Sequence, residues 1–166
     1  MESGSLARLI IVHIIVNSIG KASNPWQQQA LSAYSKRIKG FTTFTEHHSP
    51  TPKRQKTTSI LQLQAKEHAL LTDNIPSHAY VIALDERGQT FSTQAFSKHL
   101  CSIQSHYSSI YFLLGGPDGL HPKTRQGAHL ILSLSQFTLP HIFAKIMLYE
   151  QLYRCLTVMN NHPYHR

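Results

Sequence analysis

Short apolar runs alternate with segments of helical periodicity along this chain, and that alternation limits its fold more than any other feature. The runs at residues 9–16, 80–84, 110–114 and 130–134 consist almost entirely of aliphatic and aromatic residues. Such runs are typical of strands that are covered on both faces. Because strands of this kind are separated here by helical segments, we predict an α/β fold with a mostly parallel sheet flanked by helices.

The segments between these runs carry helix signals. Asn24 followed by Pro25 is a favourable helix start, and Gly40 is a suitable stop. Residues 41–47 are rich in Thr and Phe and predict a second, more polar strand near a sheet edge. Further helices are predicted at residues 60–71, from Ser92 or Thr93 to Ile103, and from Pro140 to near Met159.

The chain length of 166 residues suits one domain with a single core. We expect residues 7–166 to form this domain and residues 1–6 to be a leader. The run at residues 9–16 is far shorter than a membrane span, and no small-residue cleavage site follows it. Cys101 and Cys155 are too few and too far apart for a disulfide framework, which fits a reducing, cytoplasmic setting.

The charge balance favours a polyanionic partner. The chain has 16 Lys plus Arg against 8 Asp plus Glu, a net charge of +8 with His neutral, and RNA is the natural candidate. Lys53 and Arg54 lie in a Pro-rich loop at residues 49–59 and are candidate RNA contacts. A loop that is merely charged and solvated fits the same pattern.

Three loops follow predicted strands at residues 84–88, 115–120 and 135–140, where ligands of parallel sheets bind. The middle loop contains Gly115 and Gly116, which allow backbone to approach a ligand closely, although a tight turn would explain them as well. It matches neither a dinucleotide-binding nor a nucleotide-triphosphate motif. The sequence also lacks the common zinc-protease and serine-hydrolase motifs, so metal catalysis and hydrolysis are disfavoured.

The predicted last helix carries apolar residues on two sides. One stripe runs from Ile142 to Leu156 and a second from Leu148 to Met159. A surface helix of a monomer keeps one broad polar face, so two stripes favour a partner subunit. The alternative is a helix sandwiched within its own domain.

The C-terminal tail combines hydrogen-bond donors, an aromatic ring and a cation in Tyr164, His165 and Arg166. An arginine can pair with phosphate, and Tyr and His can stack on an unpaired base. A frayed terminus without a role is the alternative.

Several segments together resemble the ribosomal RNA large subunit methyltransferase H family of the SPOUT superfamily. They lie in order and at compatible spacing, at residues 82–85, 114–120, 133–141, 150–154 and 161–166. The resemblance covers nearly the whole chain and is most specific in the C-terminal half. It implies a methyltransferase acting on N3 of a pseudouridine in 23S rRNA, a homodimer, and a C-terminal trefoil knot, which is an exception to the rule that chains avoid threading.

The resemblance also implies a cofactor and a set of site residues. S-adenosylmethionine would lie in the knot, without a metal. Its binding residues would be Leu84, Gly115, Gly116, Ser135, Gln136, Phe137, Thr138, Leu139 and Pro140. Substrate binding and catalysis would fall to Arg154, Tyr164, His165 and Arg166. Among these, His165 is the candidate for proton handling, and the two arginines are candidates for contact with an anion or a phosphate.

One departure and two alternatives remain at this level. Relatives often carry Gly-Lys-Arg-Gly where this chain has Pro52-Lys53-Arg54-Gln55, so the basic pair is kept but the flexibility of the flanking glycines is not. The alternatives are a SPOUT methyltransferase acting on transfer RNA and a non-enzymatic protein that binds RNA or the ribosome. The terminal Tyr164-His165-Arg166 favours the ribosomal family.

Overall fold

The computed structural model describes residues 12–165, so the expected leader, the start of the first predicted strand and Arg166 lie outside the described residues. Strands and helices alternate along the chain. In order they are β1 (His13–Ile19), α1 (Pro25–Lys39), β2 (Phe44–Ser49), α2 (Ile60–Thr72), β3 (Tyr80–Gln89), α3 (Thr93–Ile103), β4 (Ser109–Leu114), α4 (Pro122–Gln126), β5 (Leu130–Leu132) and α5 (His141–Met159).

The strands form one parallel sheet in the order β2-β1-β4-β3-β5. This confirms the predicted α/β class. The central strands β1 and β4 are almost entirely buried, as their continuous apolar runs predicted. The more polar β2 lies at one edge, also as predicted, because an edge strand has one side open to water.

Helix starts agree closely with the local signals. At α1, Asn24 is the N-cap, and its backbone N–H donates to Oε1 of Gln27 at 3.3 Å as part of a capping box. At α2, Ser59 forms the same arrangement with Gln62. These short-range hydrogen bonds explain why both starts were predictable from the sequence alone.

The main differences concern the segments after β3 and β4. Strand β3 was predicted to end at Asp85 but continues to Gln89. Its last residues pair with β5 through an irregular register. Gly88 lies against the β5 backbone, and an added Cβ there would come within 2.5 Å of the Ile131 carbonyl oxygen. The short helix α4 was not predicted, since it has only five residues.

Helix α5 is covered on both sides by its own chain. It packs against α1 and α3 as well as the sheet, and Leu148, Leu152 and Cys155 are fully buried together with Tyr149. The sandwiched helix of a single domain, which was the alternative, therefore explains both apolar stripes, so the stripes do not argue for a partner subunit. The homodimer itself stays a prediction. The trefoil knot stays a prediction.

Candidate functional site

The last residues of β3, which were predicted as a loop at residues 84–88, meet the loops after β4 and β5 at one edge of the sheet. They enclose a cavity of about 330 Å³, within the range of small-molecule sites. The residues that line it are Leu84 to Arg87, Leu114 to Leu120, Leu132 to Ser135, Phe137 to Leu139, His141 and Ala144. Loops distant in sequence come together here because parallel strands all end at the same edge.

The loop after β4, residues 115–120, which we call the glycine loop, packs too closely to allow side chains at Gly115 and Gly116. A Cβ added to Gly115 would meet the Leu120 side chain at 2.9 Å and the Gly119 backbone at 3.1 Å. Gly119 itself has a φ of +79°, a left-handed conformation that favours glycine. The loop thus presents backbone rather than side chains to the cavity.

Asp85 ties the end of β3 to the glycine loop. Its carboxylate accepts hydrogen bonds from Arg87 at 2.9 Å and from Arg125 at 3.4 Å, and Arg125 also donates to the Leu120 carbonyl. Burial opposes ionisation of Asp85, but the hydrogen bonds from Arg87 and the charges of both arginines outweigh it, so the pKa of Asp85 is lowered. Asp85 is therefore ionised at neutral pH.

The segment before α5 forms the third wall. The Ser133 hydroxyl donates to the Ser135 carbonyl at 2.9 Å, and the Phe137 N–H donates to the Ser135 hydroxyl at 2.9 Å. Phe137 is 82% exposed, an unusual state for a phenylalanine. The segment thus holds its turn by its own hydrogen bonds.

Most of the expected cofactor residues line this cavity. They are Leu84, Gly115, Gly116, Ser135, Phe137, Thr138 and Leu139. Gln136 is exposed and does not line it. Pro140 does not line it either and occupies the N-cap position of α5.

Three of the expected catalytic residues form a second group at the far end of α5. Arg154 stacks on the Tyr164 ring at 4.8 Å, and its guanidinium lies 3.5 Å from His165 Nδ1. Glu150 accepts hydrogen bonds from Arg154 at 2.6 Å and from the Tyr164 hydroxyl at 3.4 Å, and this bonding raises the pKa of Arg154. We call Glu150, Arg154, Tyr164 and His165 the tail cluster.

The cavity and the tail cluster lie apart within one chain. His141 lines the cavity and Arg154 lies thirteen residues further along the same helix, which corresponds to about 20 Å at the rise of an α-helix. None of the tail cluster lines the cavity. The structure therefore assembles both predicted groups of residues but does not join them.

Sequence reasoning missed a polar group next to the cavity. Lys145 is almost fully buried, donates to the Ser18 hydroxyl at 2.9 Å and lies 2.8 Å from His48 Nδ1. Burial lowers its pKa to about 8. One turn earlier, His141 Nε2 is buried without a hydrogen-bond partner among residues 12–165. A lysine interrupting the apolar stripe of α5 was the available signal.

The Pro-rich loop at residues 49–59, which carries Lys53 and Arg54, lies beside the cavity. Arg54 approaches Asp118 of the glycine loop at 3.8 Å while remaining largely exposed. Within residues 12–165, no group of three or more His, Cys, Asp or Glu side chains is arranged to hold a metal ion. No helix in the same range combines the length and hydropathy that crossing a membrane requires.

Comparison with known proteins gives consistent matches over nearly the whole chain. Residues 12–165 match the family model described as predicted SPOUT methyltransferase. The chain is 32% identical over 155 residues to the ribosomal RNA large subunit methyltransferase H of Neisseria gonorrhoeae strain NCCP11945, covering 93% of this chain and 99% of that protein. It is 36% identical to the protein of the same name from Hydrogenovibrio crunogenus, covering 93% and 98% respectively.

A solved structure also resembles this one. It is that of a probable methylase family protein from Haemophilus influenzae Rd KW20, with a TM-score of 0.54 and 14% identity over 94% of this chain and 71% of that chain. At this identity the likeness supports the fold alone.

Proposed function

This chain belongs to the ribosomal RNA large subunit methyltransferase H family of SPOUT methyltransferases, and we propose that it transfers a methyl group from S-adenosylmethionine to N3 of a pseudouridine in 23S rRNA. The observation that carries the proposal is the cavity where the end of β3 and the loops after β4 and β5 converge. The assembled ribosome in the cytoplasm is the proposed setting for the reaction.

The cavity fits S-adenosylmethionine in size and in chemistry. A volume of about 330 Å³ lies within the range of ligand sites. The glycine loop offers backbone N–H and C=O groups for an adenine edge, and Leu84 and Leu139 offer apolar surface. When bound, this donor supplies an activated methyl group on a positively charged sulfur. Because Gly115 and Gly116 have no side chains, the loop packs against Leu120 and Glu67 and presents its backbone at the cavity.

The tail cluster supplies the chemistry that the acceptor base needs. The base nitrogen must lose its proton when it attacks, so a proton acceptor or a cation that stabilises the anion accelerates the reaction. His165 is the proposed proton acceptor. Arg154, held charged by Glu150, and Arg166, outside the described residues, are the proposed cations, and Tyr164 supplies a ring on which a base can stack.

A homodimer would bring the two groups of residues together. Because the cavity and the tail cluster lie at opposite ends of α5, one chain does not join them, whereas a second copy can place its tail at the cavity of the first. An exposed apolar patch supports this assembly. Trp26 and Phe143, each 49% exposed, pack with tilted rings whose centroids are 5.5 Å apart, and Met147, one turn after Phe143, is also partly exposed.

A second cavity continues that patch and supports the same assembly. It has a volume of about 560 Å³ and is lined by Phe143, Met147 and Glu150 among others. It shares Ser133 and Leu134 with the first cavity. A partner seated on this surface would therefore adjoin both the cofactor loops and the residue that holds the tail cluster.

The test is methylation of purified ribosomes that lack the modification. We expect labelled methyl groups to pass from S-adenosylmethionine to 23S rRNA, mapping to N3 of one pseudouridine, and to pass poorly to naked rRNA. Methylation of transfer RNA instead would indicate a different SPOUT substrate. Binding of RNA without binding of S-adenosylmethionine would support a non-enzymatic role and overturn the proposal.

A further inference from the structure

Glu67 of α2 lies beneath the glycine loop and is 5% exposed. Its Oε2 accepts a hydrogen bond from the Gly116 N–H at 3.1 Å. A Cβ added to Gly116 would meet Oε1 of the same carboxylate at 2.5 Å, and every other atom within the three closest contacts also belongs to Glu67. The carboxylate therefore both holds the loop backbone and occupies the space that a side chain at residue 116 would need.

Two neighbouring residues of α2 reach the same loop region. Gln64 donates from Nε2 to the Asp118 carbonyl at 2.7 Å, and His68 Nδ1 lies 2.8 Å from the Thr124 hydroxyl. Gln64, Glu67 and His68 lie at helical spacings of three and four, which places them on one face of α2. This face contacts the glycine loop through Gln64 and Glu67 and contacts α4 through His68, although no residue of α2 lines the cavity.

Loss of the Glu67 carboxylate would be costly because its contact with Gly116 is buried. Removal from water raises the pKa of Glu67, and the hydrogen bond from Gly116 and the charge of Asp118 act in opposite directions on it. The Gly116 N–H lies in buried surroundings and has Glu67 as its partner. Without that acceptor, a buried donor would be left without a partner, which costs more than the net value of an ordinary hydrogen bond.

We propose that Glu67 is a positioning residue for the methyl donor, acting through Gly116 without touching the donor itself. This inference deepens the proposed function and rests on it, since it takes the cavity as the donor site. Glu67 holds Gly116 in the conformation that the donor requires, and Gly116 must be glycine because Glu67 fills the adjacent space.

The first test is the affinity for S-adenosylmethionine, measured by calorimetry on the full chain. Glu67→Ala should raise the Kd about tenfold or more, in line with one unpaired buried N–H. Glu67→Gln keeps a carbonyl acceptor in nearly the same volume, so its Kd should stay within about threefold of the wild-type value. At saturating donor, kcat of Glu67→Ala should approach that of the wild type while KM for the donor rises.

The matched control is Asp73→Asn, which makes the same carboxylate-to-amide change at the exposed C-cap of α2. Its Kd should equal that of the wild type. Gln64→Ala provides a second variant if Glu67→Ala folds poorly, and it should raise the Kd by a smaller factor because it removes one contact at the far end of the loop.

A double-mutant cycle tests the contact without any ligand. Gly116→Ala should lower the Tm in the wild-type background, because the new Cβ meets the Glu67 carboxylate. In the Glu67→Ala background the same substitution should change the Tm little, since the obstructing oxygen atoms are gone. Equal effects in both backgrounds would show that the two residues are not coupled and would overturn the proposal.

The outcomes separate this proposal from the function on which it rests. If the wild type does not bind S-adenosylmethionine, the proposed function fails, although the Tm cycle still reports on the coupling. If the wild type binds but Glu67→Ala keeps its Kd within about twofold, or Glu67→Gln binds as weakly as Glu67→Ala, the positioning role fails alone.

Discussion

The two ends of helix α5 are built in different ways. At its first residues, the cavity is formed by backbone loops held by buried pairs such as Glu67 with Gly116 and Asp85 with Arg125. At its last residues, the tail cluster consists of charged and aromatic side chains near the surface. The two regions lie about 20 Å apart along the helix. Donor binding and acceptor chemistry should therefore be separable by mutation.

Deletion of residues 164–166 tests this separation most strongly. We expect methyl transfer to ribosomes to fall about a thousandfold or more, because the proposed proton acceptor His165 and the proposed cation Arg166 are lost together. The Kd for S-adenosylmethionine should stay within about twofold, since none of the described tail residues lines the cavity. His78→Ala is the control, because His78 is exposed between α2 and β3, at the opposite end of β3 from the cavity. A parallel loss of donor binding would contradict the separation.

Mixing two defective chains tests whether the regions meet across a dimer. One chain carries Gly115→Val, which obstructs the glycine loop, and the other lacks residues 164–166. Each alone should be inactive, whereas a mixture refolded in equal amounts should recover about a quarter of wild-type activity. Half of the dimers then contain one chain of each kind. In each of these dimers, one of the two sites combines an intact cavity with an intact tail.

If no activity is recovered, the two groups of residues either act together within one chain or do not take part in the same reaction. The control is the same mixing experiment with two chains that both carry Gly115→Val, which should stay inactive.

A smaller effect is expected for Gly115→Ala at the cavity. The added Cβ would meet Leu120 and the Gly119 backbone at about 3 Å, so the loop must shift and the Kd for the donor should rise about tenfold. The effect on transfer should disappear at saturating donor, in contrast to the tail deletion. A fall in kcat with an unchanged Kd would contradict the division between the two ends.

The smallest predicted effect concerns Lys145, one helical turn after the cavity residue His141. Burial lowers the pKa of Lys145 from 10.5 to about 8. Between these values the unfolded chain binds a proton that the folded chain does not, so stability rises with pH in that window. From pH 7.5 to pH 9, the free energy of unfolding should rise by about 1 kcal/mol relative to that of Lys145→Met.

Chemical denaturation at several pH values measures this difference. Subtracting the curve of Lys145→Met removes the contribution of the other titrating groups. A difference that is flat between the two pH values would show that Lys145 is not held in a water-excluded environment.

The location of the cavity could be predicted, whereas several of its supporting residues could not. Gly115, Gly116 and the segment from Ser135 to Leu139 were predictable because they follow apolar strands whose carboxyl ends must meet. Glu67 was not, because nothing in an amphipathic helix marks one glutamate as buried. Lys145 is marked only as a charge that interrupts an apolar stripe, and its partners Ser18 and His48 could not be predicted because they lie far away in sequence.

The sequence by itself determined the elements, their parallel arrangement and the family, because apolar runs, capping residues and short motifs act over a few residues. Only the tertiary structure decided that α5 is covered on both sides by its own chain, that Glu67 supports Gly116, and that the tail cluster lies away from the cavity. These are contacts between residues distant in sequence, and their geometry depends on how the whole chain packs.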